Sequence, residues 1–158
     1  MKPYVSICIP VFKTEELLEE ALQSVLQNDV EHVSKNVEVI IVNDGSTSTN
    51  LQGLSCKQIV KKFKKNTKIK INYIEHSQNM GLVEARRSAV YEAKGEYIFF
   101  FDSDDVLTPN CIKDLMSLAQ KENYDIVQGS FVTFPEENKR KIAKYHGLLK
   151  DNEIFRSW

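Results

Sequence analysis

Short apolar runs alternate with amphipathic stretches four times along this chain, and that alternation constrains the fold more than any other feature. Val5–Val11 is short, apolar and β-branched, which predicts a buried strand, and Val37–Val42 predicts a second strand, ending at the turn signal Asn43-Asp44-Gly45-Ser46. Ile69, Ile71 and Tyr73 alternate with polar partners and predict a third strand. Tyr97–Phe101 is the most apolar run and predicts the fourth and most buried strand; Asp125-Ile126-Val127 opens a fifth that reaches toward Phe134. Between them lie helix-spaced stripes. Leu17, Leu18, Ala21, Leu22, Val25 and Leu26 make one, with Thr14 as its expected cap and Glu15 and Glu16 at its positive end. Ile59, Val60 and Phe63 make a shorter one, with lysines on its outer side. Leu82, Ala85, Ala89, Val90 and Ala93 make a third, with Gly95 as its expected stop. Ile112, Leu115, Met116, Leu118 and Ala119 make a fourth, entered through Thr108-Pro109 as cap and first helical residue. A last helix is expected after Asp151. Strand–helix alternation of this kind predicts an α/β fold: a mostly parallel, twisted sheet with helices on both faces.

Composition bounds the remainder. A chain of 158 residues fits one domain with a core of its own. Its charge of −1 gives no overall pull toward nucleic acid or an anionic membrane. No apolar stretch approaches the ~20 residues that cross a bilayer. Cys8, Cys56 and Cys111 are odd in number and far apart, so neither a disulfide framework nor a zinc site is indicated, and a reducing, cytoplasmic setting fits. His32, His76 and His146 lack metal-ligand spacing, and His76 reads as a loop residue close to the expected crevice. The basic run Lys57, Lys61, Lys62, Lys64, Lys65, Lys68 and Lys70 reads as the solvated face of a short helix, able to touch anionic lipid. There is no GxxxxGK[ST] loop, and no GxGxxG after the first strand.

In a parallel sheet, ligands bind outside the carboxyl ends of the strands. Those ends carry Pro10-Val11-Phe12, Asp44, the loop with Asn79 and Gly81, and Asp102-Ser103-Asp104-Asp105. In extended geometry Asp102 and Asp104 project to one side while Ser103 faces away. A close carboxylate pair invites a hard cation, Mg²⁺ or Mn²⁺, with phosphate and water completing the shell. Asp105 reads as an acidic residue near a helix start. Asp44-Gly45 is a good turn, and Asp44 is equally a candidate acceptor for a base N–H. One of Arg86 and Arg87 can reach phosphate from the next helix.

Taken together, four strings at strand ends resemble the family-two glycosyltransferases: Val5–Phe12, Val42-Asn43-Asp44-Gly45-Ser46-Thr47, Asn79-Met80-Gly81 with Ala85-Arg86, and Gly95-Glu96-Tyr97-Ile98 running into Asp102-Ser103-Asp104-Asp105. The similarity extends from Val5 to Phe134. It implies the Rossmann-like, nucleotide-sugar-binding GT-A fold and the transfer of a sugar, with inversion, from a nucleoside-diphosphate donor to an acceptor hydroxyl. It further implies that Pro10, Val11 and Phe12 line the base and ribose pocket, and that Asp44 hydrogen-bonds the base, uracil being favoured. Asn79, Gly81 and Arg86 would shape the base and phosphate side. Asp102 and Asp104 would be the DxD pair, with Asp104 the direct ligand of Mn²⁺ or Mg²⁺, and Ser103 counts among the donor-site residues. The acceptor would be a saccharide or lipid-linked, in bacterial polysaccharide assembly at the inner face of the membrane. Phe12-Lys13 stands where the family often has Tyr-Asn, and Arg87 where Asn often follows Ala-Arg.

The family's catalytic base lies well beyond the DxD pair. Glu136, Glu137, Asp151 and Glu153 are the acids available here, none placeable as that base. The expectation is therefore a base beyond Trp158, this chain being the donor-binding part of a longer enzyme. Two rivals stand beside this reading. One is a non-catalytic nucleotide-sugar-binding fragment. The other is a haloacid-dehalogenase-like phosphotransferase with Asp102 as nucleophile, although that motif normally opens the first strand of its domain and Asp105 stands where Gly is usual.

Overall fold

The computed structural model describes residues 4–28, 35–122, 124–129, 131–133 and 141–143. Several expectations fall outside them. His32, His146 and the acids Glu136, Glu137, Asp151 and Glu153 lie there, as does the segment expected to form a last helix. Trp158, beyond which the catalytic base is expected, also lies outside the described residues.

Strands β1 (Val5–Val11), β2 (Val37–Asn43), β3 (Lys70–Glu75) and β4 (Tyr97–Phe100) form one parallel sheet in the order β3-β2-β1-β4. Every residue of β1 and β2 is buried. These are the two central strands, and burial on both faces is why their sequences read as unbroken apolar runs. Helices α1 (Glu15–Leu26), α2 (Cys56–Lys64), α3 (Leu82–Glu92) and α4 (Cys111–Glu122) connect or follow them. Because side chains alternate along a strand, Ile7, Ile9, Val39 and Ile41 meet Leu18, Leu22, Val25, Ile59, Phe63 and Ile112 on one face. Cys8, Ile40 and Val42 meet Ala85 and Ala89 of α3 on the other. The sheet thus has helices on both faces, as the alternation predicts. The lysines of α2 lie outward: Lys57 pairs with Glu75 and Lys62 with Glu19.

Five local expectations differ from what is observed. The fourth strand is not the most buried; it is the edge strand of the described sheet, and Ile98 and Phe100 are partly exposed. Asp125–Gly129 forms no strand, and the short β5 is Phe131–Thr133, paired antiparallel with β6 (Lys141–Ala143). Thr14 does not cap α1 with its side chain, because its hydroxyl is engaged by Ser103 at 2.6 Å. Gly95 does not close α3 in a left-handed conformation. It is a close-approach glycine, where a Cβ would meet the Ser6 backbone nitrogen at 2.6 Å. Pro109 does not begin α4, which starts at Cys111; the backbone N–H of Ile112 donates instead to Asn28 Oδ1 at 3.0 Å.

That last contact positions the site. Asn28 is fully buried just beyond α1, and its Nδ2 donates to the carbonyls of Ser24 and Thr108. Ser24 Oγ accepts from the Leu107 N–H at 3.0 Å. The end of α1 therefore holds the segment that leaves the Asp102–Asp105 turn. At the other end of α1, Glu15 is buried in the first turn, where the helix dipole favours a carboxylate.

Candidate functional site

Register brings the four strand ends to one rim. Val11 lies opposite Asn43, and Asn43 opposite Glu75. The ladder runs one step further on each strand: the Asp44 N–H donates to the Val11 carbonyl, His76 N–H to Asn43, and Phe101 N–H to Cys8. The residues that follow line a cavity of about 290 Å³, among them Pro10, Val11, Phe12, Asp44, Asn79, Asp102, Ser103 and Asp104. Gly81 and Arg86 reach the same site through their partners, Asp44 and Asp102. A second cavity of about 170 Å³, between β4 and α4, is lined mainly by apolar side chains such as Val5, Phe99, Leu115 and Met116.

Asp44 anchors one end of the cavity. Its turn is shaped by Asn43, whose Oδ1 accepts the Ser46 N–H at 2.8 Å. Gly45 has φ +70°, and a Cβ there would lie 2.3 Å from the Gln78 carbonyl carbon, so the loop before α3 is clasped directly onto the turn. The turn reading of Asp44-Gly45 is what this geometry shows. The Asp44 side chain is 3% exposed. Its Oδ1 accepts from His76 Nδ1 at 2.7 Å and from the Met80 N–H at 2.9 Å; its Oδ2 accepts from the Gly81 N–H at 2.8 Å. Burial alone would push its carboxyl upward, but the bonds from His76, Met80 and Gly81 outweigh that and hold it below the usual aspartate value. An ionised carboxylate offers about four acceptor positions. Three are filled, which leaves one on Oδ2.

The opposite end is differently built. Ser103 is buried and bonded to Thr14, whereas Asp102 is partly exposed. The segment is a turn and not extended, with the Asp105 N–H donating to the Asp102 carbonyl at 3.1 Å, so the extended i and i+2 geometry expected for Asp102 and Asp104 is not what orients them. Asp102 Oδ1 pairs with Arg86 Nη2 at 2.8 Å, and the Arg86 guanidinium sits 5.5 Å from the centre of the Phe100 ring. Arg87 points elsewhere and pairs with Glu84. Asp104 is exposed. Burial, then the charges of Asp104 and Asp102, raise the Asp105 carboxyl above its ordinary value. That crowding of negative charge suits a hard cation. Among the described residues, no group of three or more His, Cys, Asp or Glu forms a metal cage. Two carboxylates with phosphate and water is the coordination that Mg²⁺ commonly accepts, so the residues fit such an ion.

Between the two ends lies the wall after β1. Phe12 is partly exposed, and Lys13 holds a left-handed φ of +58° with its ammonium 5.2 Å from the Phe12 ring centre. The Lys13 N–H donates to Ser46 Oγ at 3.1 Å, tying this wall to the Asp44 turn.

Sequence reasoning missed two residues of this arrangement. His76 is no free loop histidine; it bridges Asp44 to Ser88 on α3. Asn28 gives no motif signal, although a buried amide must find partners, and a polar residue directly after an apolar stripe is where such a search would begin.

The sequence model described as "Glycosyl transferase family 2" matches residues 6–157. The chain belongs to this family. It is 28% identical over 138 residues to the glycosyltransferase GlyG of Streptococcus pneumoniae, covering 87% of this chain and 42% of that one. It is 28% identical over 152 residues to a GalNAc(5)-diNAcBac-PP-undecaprenol β-1,3-glucosyltransferase of Campylobacter jejuni, covering 96% and 46%. The chain thus spans less than half the length of these relatives. Residues 1–349 of Staphylococcus aureus TarS, solved with UDP-GlcNAc, superpose with a TM-score of 0.66 at 26% identity, covering 82% of this chain and 33% of that one. A mannosyltransferase of Pyrobaculum calidifontis shares the fold with a TM-score of 0.64 at 21% identity, over 82% and 35%. The fold is that of the GT-A glycosyltransferases.

Proposed function

We propose that this chain forms the donor-binding unit of an inverting glycosyltransferase that uses a UDP-sugar. One observation carries the reading. A single cavity on the carboxyl rim of the sheet holds a buried carboxylate with one spare acceptor at one end and the carboxylates of Asp102 and Asp104 at the other. Uracil presents one imide N–H, which matches the single acceptor left on Asp44. Pro10, Val11 and Phe12 wall the base and ribose, and Asn79 and Gly81 close the opposite side. Asp104, with Asp102, would hold Mg²⁺ or Mn²⁺; when bound, such an ion neutralises charge on the departing diphosphate. Arg86 orients Asp102, and Ser103 locks the turn against α1. Inversion follows from one in-line displacement by an acceptor hydroxyl deprotonated by a carboxylate; that base is assigned to none of the described residues.

The acceptor is proposed to be a saccharide or a lipid-linked glycan, in keeping with the undecaprenol-linked substrate in the name of the Campylobacter relative. No described helix is long and apolar enough to cross a membrane. The lysine face of α2 offers a surface for peripheral contact with anionic lipid at the inner face of a bacterial membrane. Phosphoryl transfer from Asp102 gains no support, since that carboxylate is paired with Arg86 and its strand lies at the sheet edge.

Calorimetric titration with UDP, with and without Mn²⁺, tests the reading. Binding that tightens with Mn²⁺, and loses that dependence in Asp104→Ala, is expected. UDP binding that ignores both the ion and the substitution would overturn it. Turnover of a UDP-sugar then separates a transferase from a binding fragment.

A further inference from the structure

Asp44 can discriminate a base only if its free acceptor position points one way. Two of the three groups that fix it are backbone N–H groups of a loop. The third is the His76 ring, the only side chain that hydrogen-bonds Asp44 among the described residues. His76 is itself anchored three ways. Its backbone N–H extends the β2–β3 ladder to the Asn43 carbonyl at 2.9 Å. Its side chain is 9% exposed. Its Nε2 lies 2.9 Å from Ser88 Oγ, on the helix that two residues earlier presents Arg86 to Asp102.

The chemistry of the chain Ser88–His76–Asp44 fixes its protons. Asp44 is ionised and accepts only, so His76 Nδ1 carries a hydrogen. In the neutral ring Nε2 is then bare and accepts the Ser88 hydroxyl; in the charged ring Nε2 donates to Ser88 Oγ. Either way the bond to Asp44 persists. We propose that His76 is a positioning residue for nucleobase recognition, holding the Asp44 carboxylate so that its one free acceptor meets a base imide N–H, with Ser88 holding His76 in turn. The proposal rests on the UDP-sugar reading and goes beyond it by naming what makes the base contact selective.

The test compares UDP with UDP methylated at the base N3, which cannot donate, by calorimetry in Mn²⁺. The unaltered chain is expected to prefer UDP by about tenfold or more, the size of one hydrogen bond to a charged group. His76→Phe keeps ring volume and loses both nitrogens. It is expected to weaken UDP by about tenfold while leaving the methylated ligand nearly unchanged, so that discrimination collapses. His76→Asn, which restores a donor near the Nδ1 position, is expected to recover part of it, and Ser88→Ala to lose part. A His76→Phe protein that keeps full discrimination, or weakens both ligands equally, overturns the proposal alone. An unaltered chain that binds neither ligand overturns the UDP-sugar reading and this proposal with it; one that binds both alike overturns the Asp44–base contact and this proposal, and leaves Mn²⁺-dependent UDP binding to decide the donor reading. Should His76→Phe not fold, ¹⁵N imidazole spectra of the unaltered chain at about pH 9, where ordinary imidazoles are neutral, decide: a His76 ring protonated at Nδ1 supports the proposal, and one protonated at Nε2 overturns it.

Discussion

The two ends of the cavity are finished to different degrees. At the Asp44 end the protein supplies nearly everything: the carboxylate is buried, three of its acceptor positions are filled, and its turn is clasped by the loop before α3. At the Asp102–Asp104 end it supplies little: one partly exposed ion pair, an inward serine, and an exposed Asp104. A group that must recognise a neutral hydrogen-bonding edge gains from being pre-positioned, because the orienting cost is met during folding. A group that must meet a cation and a diphosphate gains from having open coordination positions.

Substitutions should expose this contrast, beginning with the largest effect. Asp44→Ala leaves His76 and two backbone N–H groups without their acceptor. It is expected to cost about 3–5 kcal/mol in urea unfolding and to abolish UDP binding. Gly45→Ala meets both a left-handed φ and a clash with Gln78, and is expected to cost about 1–3 kcal/mol in the same assay. Arg86→Met breaks a partly exposed pair; unfolding should shift by under about 1 kcal/mol, and Mn²⁺-dependent UDP affinity should fall by about fivefold at most. Asp104→Ala should change unfolding by less than about 0.5 kcal/mol while removing the Mn²⁺ dependence of UDP binding. Equal destabilisation by Asp44→Ala and Asp104→Ala would erase the contrast.

Acid sharpens the comparison further. The Asp44 carboxyl is held below its unfolded value, so in acid the unfolded chain binds more protons than the folded one, and stability rises with pH there. Its contribution is fully present above the ordinary aspartate value of about 3.9 and is lost as pH falls below it. Asp105 carries the opposite sign, its raised carboxyl disfavouring the fold as it ionises. Unfolding midpoints across acid pH, for the unaltered chain and Asp44→Asn, measure the first effect: the substitution should flatten the acid limb.

Much of this was legible in the residues, and the reason is local. β1 and β2 announce themselves because both their faces are covered. Asp102 and Asp104 are legible as acids directly after a strand, but the extended geometry expected for them gives way to a turn closed by the Asp105 N–H on the Asp102 carbonyl. β4 misleads for the same reason that it looks clear: Phe99-Phe100-Phe101 is apolar, but sequence carries no information on which strand ends at the edge of the described sheet. Thr14, Gly95 and Pro109 all satisfy local helix-end rules, yet tertiary partners — Ser103, Ser6 and Asn28 — decide what each does. His76 and Asn28 escaped because the contacts that give them their roles, to Asp44 and to Ile112, span separations of 32 and 84 residues in the chain.

The central claim is that Asp44 takes the base while Asp104 takes the cation and diphosphate, within one cavity. A crystal structure of the chain with UDP and Mn²⁺, with the ion located by its anomalous scattering, tests it most directly. The account predicts the ion in direct contact with the Asp104 carboxylate at about 2.1 Å, as for hard six-coordinate cations, and the uracil N3 hydrogen-bonded to Asp44 Oδ2. An ion bound away from Asp104, or a base lying out of reach of Asp44, would contradict it.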